Sequence, residues 1–318
     1  MVPADELEKE NALLPMQSSS DRRVATTLGV FAVVFWSTTV AFSRSLTEHL
    51  GVLTAACCIY LGGGAIGCLY LVGNAEQRRR LAGIPWRYWL GCGGFFVANI
   101  VCFHLAVGLA SGGQKVVEVG LINYLWISLT LLLSVPILNK KARAGLLPGM
   151  VIACTGIVLA SLHSGPFSWT TFLEDLRGDR IPYVLAFLGA VMWALYSNLS
   201  RRWGGEMEGW SVPVFLLTAG LVFLALRTTV SEQARWTPRV VTELALTLTF
   251  PTLLAYVFWD VAMRKGTIVL VVSVSYVTPL LSTLLNCAYL HIRPGPSLWL
   301  ACAMVIGGAV LCRRSVVD

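Results

Sequence analysis

Ten long apolar stretches limit most sharply what this chain can fold into, because each is about as long as a helix must be to cross a bilayer. They run near Val24 to Ser43, Gly51 to Val72, Tyr88 to Val107, Val116 to Leu138 and Leu146 to Leu162. Five more follow near Pro182 to Arg201, Trp210 to Leu226, Val240 to Met263, Ile268 to Leu290 and Pro296 to Cys312. In lipid the backbone must satisfy its own polar groups, so runs of this length and composition are expected to be helical. Charged residues make up only 13% of the 318, too few to keep so much apolar surface in water. The expected class is an all-α integral membrane protein of ten transmembrane helices. Pro136, Pro148, Pro213, Pro251 and Pro279 fall inside the stretches and predict kinks, which neighbouring helices can tolerate.

The net charge of +7 does not imply nucleic acid, because the basic residues form short clusters between apolar runs. With the N-terminus inside, most of the 24 Lys and Arg residues fall on the cytoplasmic side, among them Arg22, Arg78, Lys140, Arg201, Arg264 and Arg313. The bias puts both termini in the cytoplasm. Met1 to Arg23 is polar, lacks the apolar stretch of a cleaved signal peptide, and reads as a cytoplasmic tail. The nine cysteines lie in or at the ends of apolar segments without metal-ligand spacing.

Five spans in each half force the halves to run in opposite senses, and weak self-similarity supports a duplication. Phe35-Trp36-Ser37 followed by Ser43-Arg44 matches Met192-Trp193-Ala194 followed by Ser200-Arg201 at one offset. Asn123-Tyr124-Leu125-Trp126 is answered by Ser275-Tyr276-Val277-Thr278-Pro279. The expectation is two inverted five-helix repeats, residues 24–163 and 182–313, joined by an extracytoplasmic linker at 164–181. Cytoplasmic tails at 1–23 and 314–318 flank them. Such a duplication is a device for alternating access.

Polar and aromatic side chains at lipid depth should face the bundle interior. Trp193, Tyr196, Ser197 and Ser200 share one helical stripe, as do Thr252, Tyr256 and Trp259. Further stripes are Phe96, Asn99 and Phe103; Asn123, Trp126 and Thr130; and Ser275, Thr278, Ser282 and Asn286. With Trp36, Tyr124 and Tyr276 they would converge on one cavity, whose aromatic walls and few amides and hydroxyls suit an amphipathic solute such as an amino acid. The expected substrate-binding residues are therefore Trp36, Asn99, Asn123, Tyr124, Trp126, Trp193, Tyr196, Tyr256, Trp259, Ser275 and Tyr276. Trp86, Trp89, Trp169, Trp210, Trp236 and Trp299 read as interfacial belts. Lys115 with Glu118 and Asp260 with Arg264 have the spacing of local ion pairs. Glu118, Asp260 and His104 are the candidates for gating or coupling.

The chain resembles the ten-span branch of the drug/metabolite transporter superfamily, which carries two EamA-type repeats. The resemblance covers roughly Val24 to Arg313 and rests on Val33-Val34-Phe35-Trp36-Ser37, Ala106-Val107-Gly108-Leu109-Ala110, Asn123-Tyr124-Leu125-Trp126, Gly156 and Gly307-Gly308. Where the family often places a proline in the fourth-span motif, this chain has Ile127, and only the mirror span keeps Pro279. The resemblance implies export of small organic solutes, aromatic and other amino acids foremost. The expected location is an inner membrane, no cofactor is expected, and the oligomeric state is left open with a monomer as the expectation. Other metabolites or drugs are the alternative substrates. No HExxH, GxSxG or GK[ST] motif supports an intramembrane enzyme, and no filter-like repeat supports a channel.

Overall fold

The computed structural model describes residues 19–110, 113–161, 170, 178, 180–204, 209–281 and 296–317. Its helices are α1 (Ser19–Leu50), α2 (Val52–Gly73), α3 (Ala75–Ala82), α4 (Trp86–Leu109), α5 (Gly113–Asn123), α6 (Leu125–Ile137) and α7 (Leu146–Ser161). The second half supplies α8 (Ile181–Trp203), α9 (Val212–Arg227), α10 (Pro238–Thr247), α11 (Ala255–Lys265), α12 (Ile268–Ser275) and α13 (Pro296–Ser315). Five helical stretches are long and apolar enough to cross a membrane: Val52–Gly73, Trp86–Leu109, Glu118–Ile137, Ile181–Trp203 and Pro238–Lys265. Leu146–Leu159, Val212–Arg227 and Ile268–Leu281 are shorter apolar helices. Leu69, Val72, Leu90 and Val151 are each more than 60% exposed, whereas Ser197, Asn198 and Asp260 are fully buried. Such an inside-out arrangement suits lipid as the outer solvent. The chain is a multi-pass α-helical membrane protein.

Local sequence explains where elements start and break. Asn74 caps α3 by accepting from the Gln77 N–H at 3.3 Å. Thr237 caps α10 through the Val240 N–H at 3.2 Å, with Pro238 beginning the helix. Gly51 has a φ of 86°, and a side chain there would collide with Glu232. Pro251 lacks the N–H that would bond the carbonyl one turn earlier, and a π-helical segment, Leu248–Leu254, absorbs the defect between α10 and α11. The kinks expected at Pro148 and Pro213 do not follow, because both prolines sit in a first helical turn, where the missing N–H costs no bond. Tyr124 in the fourth span and Tyr276 in the ninth keep right-handed helical dihedrals, near φ −60°, and the helical stretches Glu118–Ile137 and Ile268–Leu281 run on through them. Among the described residues the strands are two residues long: Lys141–Ala142 pairs antiparallel with Val316–Val317.

The closest helix partnerships cross between the halves. Helix α2 packs on α9, α7 on α13, α4 on α8, and α1 on α11. Glycines set two of these approaches. A Cβ on Gly64 would lie 2.3 Å from the Leu217 nitrogen, and one on Gly220 would lie 2.4 Å from the Leu61 nitrogen. The offset from Leu61 to Leu217 equals that from Gly64 to Gly220, so the contact is reciprocal. Between α7 and α13 the pattern recurs: a Cβ on Gly149 would lie 2.9 Å from the Cys312 nitrogen, and one on Gly308 would lie 2.6 Å from the Ala153 nitrogen. Small residues let backbones meet where lipid gives helices no hydrophobic reason to associate.

Candidate functional site

Aromatic rings from the interior faces of five helices meet in the core. Trp36 of α1 lies with its ring centroid 5.6 Å from that of Trp193 of α8, 5.4 Å from Tyr256 and 5.1 Å from Trp259 of α11, and 6.4 Å from Trp126 of α6. Trp126 stands nearly perpendicular to both Trp193 and Trp259, at 85°. Phe96 of α4 completes the group, 5.0 Å from Tyr196 and 5.1 Å from Tyr256. Edge-to-face packing of this kind places the positive ring edge on the negative face of its neighbour. Trp126, Trp193, Tyr196 and Trp259 are buried, and Trp36 is partly exposed. Six of the residues expected to line a solute site, namely Trp36, Trp126, Trp193, Tyr196, Tyr256 and Trp259, are thus brought together.

The ring cluster is wired to a buried charge pair. Asp260 Oδ2 lies 2.7 Å from Arg264 Nε one turn along α11, and the two side chains are 0% and 2% exposed. The Tyr196 hydroxyl donates to Asp260 Oδ1 at 2.7 Å while its ring packs 5.2 Å from Trp193. Arg264 also donates to the Gly204 carbonyl at 2.6 Å, to Ser211 Oγ at 3.2 Å and to the Tyr88 hydroxyl. A buried guanidinium needs such acceptors, because each unsatisfied N–H in the interior costs free energy. The expected Asp260–Arg264 pair is present. Its partners Tyr88 and Ser211, far away in sequence, gave no signal there.

The other expected residues have separate engagements. Asn99 donates to the Gly189 carbonyl at 2.9 Å, joining α4 to α8. Ser275 bonds the Val271 carbonyl of its own helix at 3.0 Å, and Tyr276 meets the Ser128 hydroxyl at 2.8 Å. Tyr124 is a partly buried ring packed on the main core. Glu118, fully buried, accepts from the Tyr183 hydroxyl, tying α5 to α8. His104 packs against Tyr60 and Phe223, each at 5.3 Å, and its Nδ1 bonds the Ile100 carbonyl at 2.9 Å. Ser282 and Asn286 lie outside the described residues, as does Trp169. Trp86, Trp236 and Trp299 are exposed, as an interfacial belt requires, whereas Trp89 and Trp210 are half-buried against Phe215 and Tyr70.

Among the described residues, the buried atoms without a hydrogen-bond partner include Asn123 Oδ1, Asn198 Oδ1 and Thr278 Oγ1. Asn198 is held in place by its amide nitrogen, which donates to the Thr130 carbonyl at 3.0 Å and the Ala194 carbonyl at 2.9 Å. Sequence reasoning missed Asn198, although it lies two residues before Ser200 on the stripe-bearing helix. A buried acceptor without a partner can offer a polar contact within an apolar interior.

A helical membrane protein with an aromatic, sparsely polar core is the class that the fold and its interior define. The model of the EamA-like transporter family matches residues 180–314. The aromatic amino acid exporter YddG of Escherichia coli strain K12 is 31% identical over 293 residues, which is 92% of this chain and 97% of that protein. The proteins of the same name from Salmonella typhimurium strain 14028s and Ancylobacter novellus are 32% and 30% identical, over 91% of this chain and 96% and 97% of their own lengths. The chain belongs to the EamA-type drug/metabolite transporter superfamily. A solved crystal structure superposes with a TM-score of 0.75 at 24% identity, covering 91% of this chain and 96% of its own, and supports the fold.

Proposed function

We propose that this protein exports aromatic and other amino acids across the inner membrane by alternating access. In this reading, two inverted five-helix halves, residues 24–163 and 182–313, enclose a central solute site. Both tails are cytoplasmic, and the linker at 164–181 is outside. The observation that carries the proposal is the ring cluster: Trp36 and Trp193, which occupy matching places in the proposed sequence repeats, pack 5.6 Å apart. The reciprocal glycine contacts of α2 with α9 and of α7 with α13 support the same two-fold relation. So does the convergence of Arg22, Lys140, Arg201 and Arg313 on one end of the bundle, which agrees with a common cytoplasmic side.

Trp36, Asn99, Asn123, Tyr124, Trp126, Trp193, Tyr196, Tyr256, Trp259, Ser275 and Tyr276 form the substrate-facing set in this proposal. The rings supply stacking area for an aromatic side chain, and the unpartnered Asn123 oxygen can accept from an α-amino group. Asp260, Glu118 and His104 are assigned to gating or coupling. Asp260 is the foremost of these, because Tyr196 links its carboxylate to the rings. Purified protein in liposomes should show saturable counterflow of aromatic amino acids, and Trp193→Ala should reduce it at least tenfold. Flux that rises linearly with concentration would indicate a channel. Saturable counterflow of other metabolites alone would move the substrate class and keep the mechanism.

A further inference from the structure

A second polar feature lies away from the ring cluster, at the end of the bundle that collects the basic residues. Arg22 in the first turn of α1, Lys140 in the loop after α6, Arg201 in the last turn of α8 and Arg313 in the last turn of α13 line one pocket of about 360 Å³. Residues 266–270, where α12 begins, line it too, and among the described residues that line it none is acidic. Counting Asp21, next to Arg22 in sequence, and Asp318, two residues beyond the lining residue Val316, still leaves an excess of positive charge.

The chemistry of the lining is that of an anion site. The first N–H groups of a helix have no partner within it, and the helix dipole adds partial positive charge at that end. Residues 268 and 269 hold those places in the apolar helix Ile268–Leu281 and line the pocket. Arg201 is fixed by donating through Nη1 to the Met263 carbonyl at 3.1 Å and the Gly266 carbonyl at 2.9 Å. Its Nε and Nη2 hydrogens remain for a ligand. Burial, and then the charges of Arg201 and Arg22, push the Lys140 ammonium below its ordinary range, so these three cations lie close enough to repel one another. Topological preference alone explains basic residues on a cytoplasmic face, but not their convergence from four separate elements on one cavity.

We propose that this pocket is an oxyanion site that takes a phosphate group, carried by an anionic phospholipid headgroup or by a soluble phosphate. A phosphate brings oxygens enough to accept from several cations and from the α12 N–H groups together. Bound there, it adds to the bonds that already join elements at this end, such as Arg143 N–H to the Ser315 carbonyl at 2.7 Å and Thr267 N–H to Thr26 Oγ1 at 3.0 Å.

The test uses the full chain purified in detergent, with Arg22→Gln/Arg313→Gln as the variant, since both side chains are exposed and their loss should leave the fold intact. Inorganic phosphate is titrated at constant ionic strength while melting is followed. In parallel, native mass spectrometry counts retained phosphatidylglycerol against phosphatidylcholine. For a soluble ligand, phosphate raises the melting temperature saturably and the variant needs at least tenfold more. For a lipid ligand, phosphatidylglycerol is retained preferentially by the parent protein and at least fivefold less by the variant. The proposal is overturned if phosphate shifts both proteins alike and phosphatidylglycerol is retained no better than phosphatidylcholine, or no better by the parent than by the variant.

Discussion

Asp260 and Arg264 offer a measurable test of what holds the interior together. Replacing Asp260 by Asn keeps the side-chain volume and an acceptor for Tyr196, yet leaves the Arg264 guanidinium, 2% exposed, without the carboxylate 2.7 Å away. The neutral acceptors Gly204, Ser211 and Tyr88 stay in place and do not compensate the charge. Breaking a buried pair from one side costs about 3–5 kcal/mol, because the surviving charge keeps its desolvation penalty and loses its attraction. At roughly 2 °C per kcal/mol for a chain of this size, the melting temperature should fall by about 6–10 °C. Adding Arg264→Met removes the stranded charge and should recover at least half of that loss, since no uncompensated charge then remains buried. Tryptophan fluorescence of the detergent-purified protein during heating reports both changes. An Asp260→Asn protein that melts with the parent, or a double variant less stable than the single one, would refute the reasoning.

Gly64→Ala should destabilise by about 1–3 kcal/mol, because its Cβ would lie 2.3 Å from a backbone nitrogen of α9 that cannot move alone. Gly94→Ala, with nothing within 4 Å of the added methyl, should be neutral or stabilise by up to about 1 kcal/mol, as parallel melting curves would show. Burial raises the Glu232 carboxyl pKa. Bonds from the Leu53 N–H, from the Thr54 N–H and hydroxyl, and the nearby Arg227 charge outweigh that effect and hold it below the usual value. A depressed pKa gives stability that is present above the unfolded value of about 4.3 and is lost as pH falls through the folded value. Melting temperatures from pH 6 to pH 3 should therefore fall more steeply for the parent than for Glu232→Gln, with the curves converging at the acid end. Tyr196→Phe should retain the ring packing and lose the bond to Asp260, slowing counterflow without abolishing substrate binding in an equilibrium assay.

How much was legible in the sequence follows from the range of the interactions concerned. The segment boundaries agree within a few residues for Val52–Gly73, Trp86–Leu109 and Ile181–Trp203, because hydropathy over about 20 residues is a local quantity. The short helix Ala75–Ala82 and the π segment at Pro251 were not anticipated, since they depend on one cap and one missing N–H. The Asp260–Arg264 pair was readable from its spacing. Its partners Tyr88, Gly204 and Ser211 were not, because no periodicity links residues on different helices.

By itself the sequence determined the solvent, the helical class and which residue types could face inward, since lipid penalises every unsatisfied backbone group and every exposed charge. Tertiary structure alone decided that Trp36, Trp126, Trp193, Tyr256 and Trp259 share one space, while Asn99 and Ser275 bond to backbone carbonyls. A helical stripe fixes direction around its own axis and carries no information about the axis it will meet. Glycines such as Gly64 and Gly220 set that meeting, through contacts between backbones far apart along the chain.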